Sequence, residues 1–434
     1  MRSRLAVCVL GVWSLLASTT SQAQPPGTIA PPRIYAPAPY DASNSGPAWG
    51  VPGYDNYANA RVPVDGQYCP PPGPNGLITE QISGDRGFDY EDTPVDRFLT
   101  AAVKSTWIRL EYLNWRFEGP GNSLLGSPVA GIVDPSQPFQ ATIAGQPATA
   151  QVPTTSGLHF RNVQGIRGTM GLPTSAGTLE ANYFAFSRAT NGQFLAVAAP
   201  DPLAPQLQIQ YATSTLLNGQ PSNNLFLYDS SFEVVQNSQL FGAEANWIAN
   251  SPYETGFVVR PLAGFRYINV KEGLLQRGTF DQEGLLVPAL VSDISSNVNN
   301  RIYAPQLGMR FEWVDQWFTL GIEPKVAFGV NQYDATVRTD RLRSAGDPTV
   351  ITSANGNHFA PIGDFSVYGK IHLRDNFSLF VSYQVMVANG ISRPADNNFY
   401  NDNGSTQPAG IVVDPGFRSM VWQGLTVGGE LKFR

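Results

Sequence analysis

Charged side chains recur at alternate positions along several apolar stretches in the second half of the chain. Four windows show this pattern: 241–247, 257–267, 303–313 and 318–328. In each window all the charges fall on the same set of alternate positions: Glu244, Arg260, Arg266, Arg310, Glu312, Glu323 and Lys325. Charges of both signs that face one space can line a water-filled path and select ions by their sign. They can also pair with one another across a narrow interior and close it.

The positions between these charges are apolar throughout the four windows, as at Phe257, Val259 and Phe265. Successive side chains of a strand point to opposite faces, so each window is predicted to be a strand with one apolar and one charged face. This pattern is typical of a transmembrane β-barrel, where a charge on the lipid side costs roughly 2–4 kcal/mol at the midplane. That cost alone accounts for the segregation of the charges.

The same parity argument extends the charged face to the other strands. We predict a lumen lined by Arg109, Glu111, Arg167, Glu180, Glu244, Arg260, Arg266, Arg310, Glu312, Glu323, Lys325, Lys370, His372, Glu430 and Lys432. With Arg161, the basic residues of this face number nine against six acidic ones. An open lumen would then favour anions, whereas the alternative is a lumen sealed by ion pairs. Wide channels need about 16 strands and about eight strands enclose only side chains, so a barrel of about ten favours the sealed or very narrow form.

Period-2 patterning begins at Trp107 and predicts an all-β fold, a transmembrane antiparallel up-and-down barrel of about ten strands, with twelve as the alternative. The predicted strands are 107–117, 159–172, 177–190, 228–247, 254–273, 300–313, 317–336, 362–373, 377–388 and 417–433. Long connections, 118–158, 191–227, 274–299, 337–361 and 389–416, alternate with short ones. Bacterial outer-membrane barrels have this asymmetry, with short periplasmic turns and long external loops.

The region before the barrel has a different composition. Residues 1–23 have the charged start, apolar stretch and small-residue end of a secretory signal peptide. Residues 24–76 are rich in Pro and Gly and are predicted to be a disordered arm, with cell-wall contact as one possible role. Residues 77–106 are acidic and form a linker or a plug, and residues 107–434 form the barrel.

Composition excludes several classes of function. The chain of 434 residues has a formal net charge of −6 and is 14% charged. The net acidity argues against nucleic acid as a partner, since such proteins carry a basic surface. Cleavage after Ala23 would leave Cys69 as the single cysteine, so we expect no internal disulfide.

Enzymatic chemistry finds little support in the sequence. Of the three histidines, His159, His358 and His372, the last lies on the inner parity and is the candidate base for a barrel enzyme. No nucleophile elbow, zinc-binding helix or paired-carboxylate signature accompanies it. The Asn- and Asp-rich stretch 396–403 lacks the spacing of an EF-hand. We therefore predict no catalytic residue, no metal and no cofactor.

Three further features bear on the barrel. Trp247 and Tyr253 flank one short connection and Trp313 and Trp317 flank another, as expected of an aromatic girdle. Residues 426–433 resemble the final-strand signal read by the outer-membrane assembly machinery, except that Arg434 follows the terminal aromatic residue. Prolines interrupt three predicted strands, and we expect bulges to accommodate them: Pro261, Pro305 and Pro324.

Several strand stretches resemble a family of bacterial outer-membrane β-barrel porins. The resemblance is carried by the opening strand 107–115 and by residues 165–173, 180–184, 261–267 and 307–313, and it covers roughly residues 100–434. It implies an outer-membrane barrel in contact with the lipid bilayer, after export. We expect a porin-like or structural role, with passive diffusion of small solutes through a narrow charged lumen. A non-conducting structural or adhesive surface barrel and a barrel enzyme acting at the outer surface are the alternatives.

Overall fold

The computed structural model describes residues 106–143, 146–198, 208–281, 286, 288–404 and 411–433. All of them belong to one compact unit, Arg86–Arg434. The predicted signal peptide, the Pro-rich arm and almost all of the acidic segment lie outside the described residues. No helix in the described part of the chain is long and apolar enough to cross a membrane.

Strands make up most of the described residues. In chain order they are β1 Trp107–Phe117, β2 Phe139–Ile143, β3 Gln146–Gln151, β4 Phe160–Pro173, β5 Gly177–Phe186, β6 Ala189–Ala196, β7 Ile209–Leu217, β8 Gln220–Tyr228, β9 Ser231–Ala249, β10 Gly256–Phe280, β11 Leu290–Val314, β12 Phe318–Asp340, β13 Val350–Arg374, β14 Phe377–Ser392, β15 Asn398–Asp402, β16 Ile411–Val413 and β17 Phe417–Lys432. A short 3₁₀ helix, Pro394–Asp396, precedes β15.

Ten of these strands close into a ring. Their order is β1, β4, β5, β9, β10, β11, β12, β13, β14 and β17, and β17 pairs with β1 to complete the circle. Each pairing in the ring is antiparallel. The prediction of an all-β antiparallel barrel of ten strands is therefore confirmed.

Burial alternates along the ring strands as the parity predicts. On β1, Leu110 on the outer face is 69% exposed, whereas Leu113 on the inner face is fully buried. The apolar residues that the sequence assigns to the lipid side, such as Phe257, Leu307 and Ile322, are likewise exposed. An apolar outer surface of this kind is suited to contact with lipid and not with water.

Aromatic residues mark both edges of this apolar surface. At the short connections, Trp247, Tyr253, Trp313 and Trp317 are exposed. At the far edge, the ring of Tyr267 lies 6.2 Å from that of Phe241 and 5.2 Å from that of Tyr303. Amphipathic aromatic rings favour the boundary between acyl chains and water.

The expectation of bulges at the prolines is wrong for Pro305 and Pro324. The register between β11 and β12 stays constant from Tyr303 opposite Val330 to Val314 opposite Thr319. Instead, the backbone pairing between β11 and β12 is interrupted around the two prolines. On their other sides, Pro305 remains paired with β10 and Pro324 with β13. A proline removes one donor, so the backbone can lose a bond on one side without changing register.

Two predicted long loops are mostly strand. β10 and β11 extend into 274–299, and β12 and β13 extend into 337–361, because these strands continue beyond the apolar outer surface. The outer parity turns polar there, as at Lys271 and Asn299. The alternation of apolar residues therefore predicts where the apolar outer surface ends, but not where the strand ends.

The other three long connections build a second sheet, which we call the cap. It contains β2 and β3 from the first connection, β7 and β8 from the second, and β15 and β16 from the last. β7 is its centre, pairing in parallel with both β3 and β15 and antiparallel with β8. Buried cap residues such as Phe226 and Tyr400 share a cluster with Leu274 and Ile294 from the far ends of ring strands.

Candidate functional site: the barrel lumen

The lumen contains a layer of paired charges, which we call the ion-pair layer. Its seven basic members are Arg109, Arg167, Arg260, Arg266, Arg310, Lys325 and Lys370, and its seven acidic members are Glu111, Glu180, Glu244, Glu312, Glu323, Asp364 and Glu430. They come from strands on all sides of the ring. Within the described residues the formal charges of the layer therefore cancel.

Arg266 occupies the centre of this layer. Its guanidinium contacts the carboxylates of Glu244, at 2.6 Å, and of Asp364. Lys325 Nζ lies 3.3 Å from Glu244 Oε2, 3.1 Å from Glu323 Oε1 and 3.6 Å from Asp364 Oδ2. Two cations thus share three carboxylates, so none of these buried charges lacks an opposite charge.

A second group of pairs joins the first and last strands. Arg109 lies 2.6 Å from Glu111 and 3.3 Å from Glu430, which also contacts Lys370 at 2.9 Å. Arg167 lies 3.4 Å from Glu111. The strands at the closure of the ring are therefore linked through their lumenal side chains as well as through their backbones.

Gln384 connects the two groups. Arg167 donates to Gln384 Oε1 at 2.7 Å, and Gln384 Nε2 donates to Asp364 Oδ1 at 2.8 Å. A hydrogen-bonded path therefore runs from the closure of the ring to the centre of the layer. Hydrogen bonds are electrostatically stronger in such an interior of low dielectric constant than in water.

The remaining charges of the layer form smaller groups of ion pairs. Arg310 contacts Glu180 at 3.2 Å and Glu323 at 2.5 Å. Glu312 pairs with Arg260 and accepts a hydrogen bond from the hydroxyl of Tyr368 at 2.7 Å. Arg260 is the most exposed of the basic members and lies towards the short connections.

The structure places thirteen of the fifteen sequence-predicted residues in this layer and leaves two outside it. Lys432 is exposed near the end of β17. The ring of His372 lies between two hydroxyl groups, 3.0 Å from Thr319 Oγ1 and 2.9 Å from Ser378 Oγ. Arg161, which parity assigns to the same face, is exposed at the start of β4.

Asp364 is the functional residue that sequence reasoning missed. It shares the inner parity of β13 with Lys370, so the signal that identified Lys370 was present for it. Its omission produced an excess of basic residues on the predicted face. With Asp364 included and Arg161 and Lys432 outside, positive and negative side chains balance, and the predicted bias towards anions loses its basis.

The space left inside the layer is small. A cavity of about 50 Å³ lies among Arg167, Glu180, Arg310 and their neighbours. A buried water needs roughly 10–15 Å³ of such space, so the cavity has room for a few waters but not for a solute of metabolite size.

Beyond the layer, towards the long connections, the lumen becomes apolar. We call this region the apolar plug, a single cluster of buried side chains: Leu113, Trp115, Phe117, Phe160, Val163, Phe184, Phe186, Leu240, Ile268, Val270, Ile302, Ala304, Ala327, Ala360, Ile362, Met386, Ala388, Ile391, Met420 and Trp422. All ten ring strands contribute to it.

On two strands the inner face changes from a charged to an apolar side chain in a single step. Ile268 follows Arg266 by two residues on the inner face of β10, and Leu113 follows Glu111 in the same way on β1. The plug therefore lies directly against the ion-pair layer. The cluster shared with the cap closes the lumen again farther out.

No group of three or more His, Cys, Asp or Glu side chains in the described ranges is placed to hold a metal ion. The stretch 396–403 uses its carboxylates in other contacts. Asp396 pairs with Arg418 at 2.7 Å, and Asp402 pairs with Arg343. Both carboxylates are thus held by arginines of the same chain.

A closed antiparallel ring with an apolar outer face and a charged inner face defines a β-barrel of the outer-membrane type. The chain belongs to the family described as "Putative beta barrel porin-7 (BBP7)", whose model matches residues 107–433. The resemblance found in the strand motifs is thereby confirmed.

The chain is similar to several solved structures of bacterial proteins. The outer membrane protease OmpT from Escherichia coli is 9% identical, with 76% of this chain and 97% of that chain covered and a TM-score of 0.38. The transport unit of the autotransporter AIDA-I from Escherichia coli is 6% identical, with 76% and 90% covered and a TM-score of 0.21. The toluene transporter TodX of Pseudomonas putida is 8% identical, with 77% and 91% covered and a TM-score of 0.16. The comparison with curated proteins gave no match. Likenesses of this strength assign no activity to the chain.

Proposed function

We propose that the chain is a sealed outer-membrane barrel that does not conduct, with a structural role and with its cap displayed on the outer side. The observation that carries this proposal is the apolar plug, to which all ten ring strands contribute buried side chains. Ions and polar solutes would have to shed their hydration to pass such a layer. This favours the non-conducting alternative over passive diffusion.

The ion-pair layer supports the same conclusion. A pore that selects ions presents unpaired charges of one sign to water. Here the charges balance, and Arg266 and Asp364 are almost fully buried. Their energetic role is to neutralise each other in a confined interior, where an unpaired charge is expensive.

Placement in the outer membrane is supported by the outer surface and by family membership. The exposed apolar side chains lie between two rows of aromatic residues, as expected of a barrel in a bilayer. The N-terminal export signal predicted from the sequence fits this placement. The terminal strand β17 pairs with both β1 and β14, and we propose it as the segment presented to the assembly machinery.

The proposal assigns the barrel no catalytic role. Both ring nitrogens of His372 are within hydrogen-bond distance of hydroxyl groups, and the residue lies near the short connections and away from the cap. A barrel enzyme based on this histidine would lose hydrolytic activity in a His372→Ala variant. Activity of the purified protein that this substitution abolishes would contradict the assignment.

Planar-bilayer recording tests the central claim. Purified protein whose folding is verified by its heat-modifiable mobility should insert and produce no unitary current steps. Insertion is checked separately by flotation of the same preparation with vesicles. Arg310→Glu, in the lumen, and Arg277→Glu, on the outer face, form a matched pair. Discrete steps from the wild type whose ion preference changes in Arg310→Glu but not in Arg277→Glu would show a conducting lumen and overturn the proposal.

A further inference from the structure

A one-residue shift in register separates β5 from β6 on the same partner strand. In β5, Ala185 lies opposite Phe241, whereas in β6, Ala189 lies opposite Ser238. The extra residue falls at 187–188, between the two strands. A β-bulge of this kind exchanges the inner and outer faces of the residues that follow it.

The bulge turns Arg188 outwards. The register of β5 would place it opposite the buried Ser238 and inside the lumen, but the register of β6 places it opposite Gln239 on the outer face. Arg188 is exposed there. Ala189 now faces inwards and packs against the apolar plug.

Arg188 comes to lie in one row with a second cation. Lys271 pairs with Gln239 on one side and with Asn299 on the other. Since Gln239 separates the two cations, they are two strand spacings apart, or about 10 Å. Both are exposed on the outer face.

A groove runs along this row. It has a volume of about 410 Å³, and amide side chains surround its two cations: Asn237, Gln239, Asn297 and Asn299. Amides donate and accept hydrogen bonds and so match hydroxyl groups. Arginine and lysine bind phosphate oxygens through charge-assisted hydrogen bonds.

Two carboxylates line the groove, Glu272 and Asp334, and each is paired with an arginine outside it. Glu272 Oε2 lies 3.0 Å from Arg393 Nε. Asp334 Oδ2 lies 3.0 Å from Arg301 Nη1, a neighbouring cation of the same face. Arg188 and Lys271 form none of the ion pairs found among the described residues. The groove therefore keeps two positive charges.

The groove lies next to the outer edge of the apolar surface. Lys271 follows Tyr267 by four residues along β10, which is about 13 Å of strand. Tyr267 belongs to the aromatic row that marks this edge. The cations are thus at the level of lipid headgroups on the side of the cap.

We propose that this groove binds the phosphate-bearing sugar headgroup of a glycolipid of the outer leaflet. The proposal rests on the membrane placement proposed above, but not on the sealed lumen. The two cations hold the phosphates and the surrounding amides bind the sugar hydroxyls. The acyl chains extend along the apolar surface below the aromatic row.

Native mass spectrometry of the folded protein in detergent, with diphosphorylated lipid A as the probe, tests the proposal. We expect the double variant Arg188→Gln/Lys271→Gln to bind the probe about tenfold more weakly or worse. Dephosphorylated lipid A should bind the wild type as weakly as the probe binds the variant. Arg338→Gln, which removes an exposed cation from the outer face of β12, should leave binding unchanged.

Two results would overturn the proposal. One is equal affinity of the wild type and the double variant, with both shown to be folded by heat-modifiable mobility. The other is equal binding of phosphatidylglycerol, which carries phosphate without a sugar ring. Either result would leave the conductance test of the lumen untouched, whereas failure of the protein to insert into vesicles would refute the membrane placement itself.

Discussion

Arg266 and Asp364 lie on strands that are not neighbours, yet their side chains meet inside the barrel. Arg266 is on β10 and Asp364 is on β13, with β11 and β12 between them in the ring. Both side chains are 1% exposed, and the guanidinium donates to the carboxylate. The contact crosses the lumen, so it ties together parts of the wall that backbone hydrogen bonds do not connect.

Removing only one of these two charged side chains should strongly destabilise the protein. We expect Arg266→Met to lower the free energy of unfolding by about 3–5 kcal/mol, because Asp364 is left buried with less compensation. The double variant Arg266→Met/Asp364→Leu should recover part of the loss. Denaturant unfolding in micelles, followed by tryptophan fluorescence, measures both.

Arg277→Gln provides the control for this prediction. Arg277 and Asp293 form a pair on the outer face with a side-chain distance of 2.8 Å, and Arg277 is substantially exposed. Exposed pairs contribute about 1 kcal/mol or less. If Arg266→Met were no more costly than Arg277→Gln, the lumenal network would not contribute to stability.

The apolar plug should be as sensitive as the core of a soluble protein. Trp422 is fully buried and lies opposite Phe117 in the β1–β17 pairing. We expect Trp422→Ala to cost about 3–5 kcal/mol and Trp422→Phe to cost less. Neither variant should conduct in planar bilayers, because the ion-pair layer still closes the lumen. Current steps in Trp422→Ala would show that the plug alone seals the barrel.

Arg393 should hold the loop that follows β1. Its guanidinium contacts Glu272 at 3.0 Å and donates to the carbonyl oxygens of Gly119, at 2.7 Å, and Glu118, at 3.1 Å. Arg393→Leu leaves Glu272 buried without this partner, so we expect a loss of about 3–5 kcal/mol. We also expect faster proteolysis within residues 118–158.

Limited proteolysis of folded protein, read by mass spectrometry of the fragments, checks the location of this effect. Arg341→Gln is the matched control, since Arg341 is a half-buried arginine that pairs with Asp340 at 3.3 Å and lies away from residues 118–158 in the sequence. Equal cleavage rates in Arg393→Leu and Arg341→Gln would contradict the anchoring role of Arg393.

Asp396 should make the cap region sensitive to pH. Burial raises the pKa of its carboxyl above the ordinary value of 3.8, although Arg418 and Arg393 act in the opposite direction. The folded state therefore binds this proton more tightly than the unfolded state. The resulting stability is complete below the unfolded pKa and is lost as pH rises through the folded pKa.

A comparison with Asp396→Asn isolates this contribution. The stability of the variant relative to the wild type should increase as pH rises from about 3.5 to 7. Hydrogen exchange of the amides around residues 394–402 provides the measurement. A difference between the two proteins that stays constant over this range would show that the carboxyl titrates normally.

The sequence predicts the wall of the barrel well because the wall obeys a local rule. Alternation along one strand decides which side chains face lipid, and it requires no knowledge of the neighbouring strands. The same rule fails where the alternation itself changes. The bulge at 187–188 exchanges the inner and outer positions along β6, and the residue types at the bulge do not predict this exchange.

The sequence does not predict which charged side chains pair across the lumen. Parity places Arg266 and Lys325 on the inner face, but which carboxylate each one contacts depends on the stagger and closure of the ring. Asp364 could have been found from parity, and its pairing with Arg266 could not. The cap was also beyond local reasoning, because strands such as β16 have three residues and pair across distant parts of the chain.

The parallel pairing of β7 with β15 has a consequence for the order of assembly. Leu216 and Leu217 lie opposite Asn401 and Asp402, which follow them far along the chain. Forming contacts between such distant segments is slow, because the entropy of closing the intervening chain must be lost first. The part of this edge at Leu216 and Leu217 therefore pairs only after β15 has formed, whereas β3, which precedes β7 in the chain, can pair with residues 209–211 earlier. The cap is thus completed only once a late segment of the chain is in place.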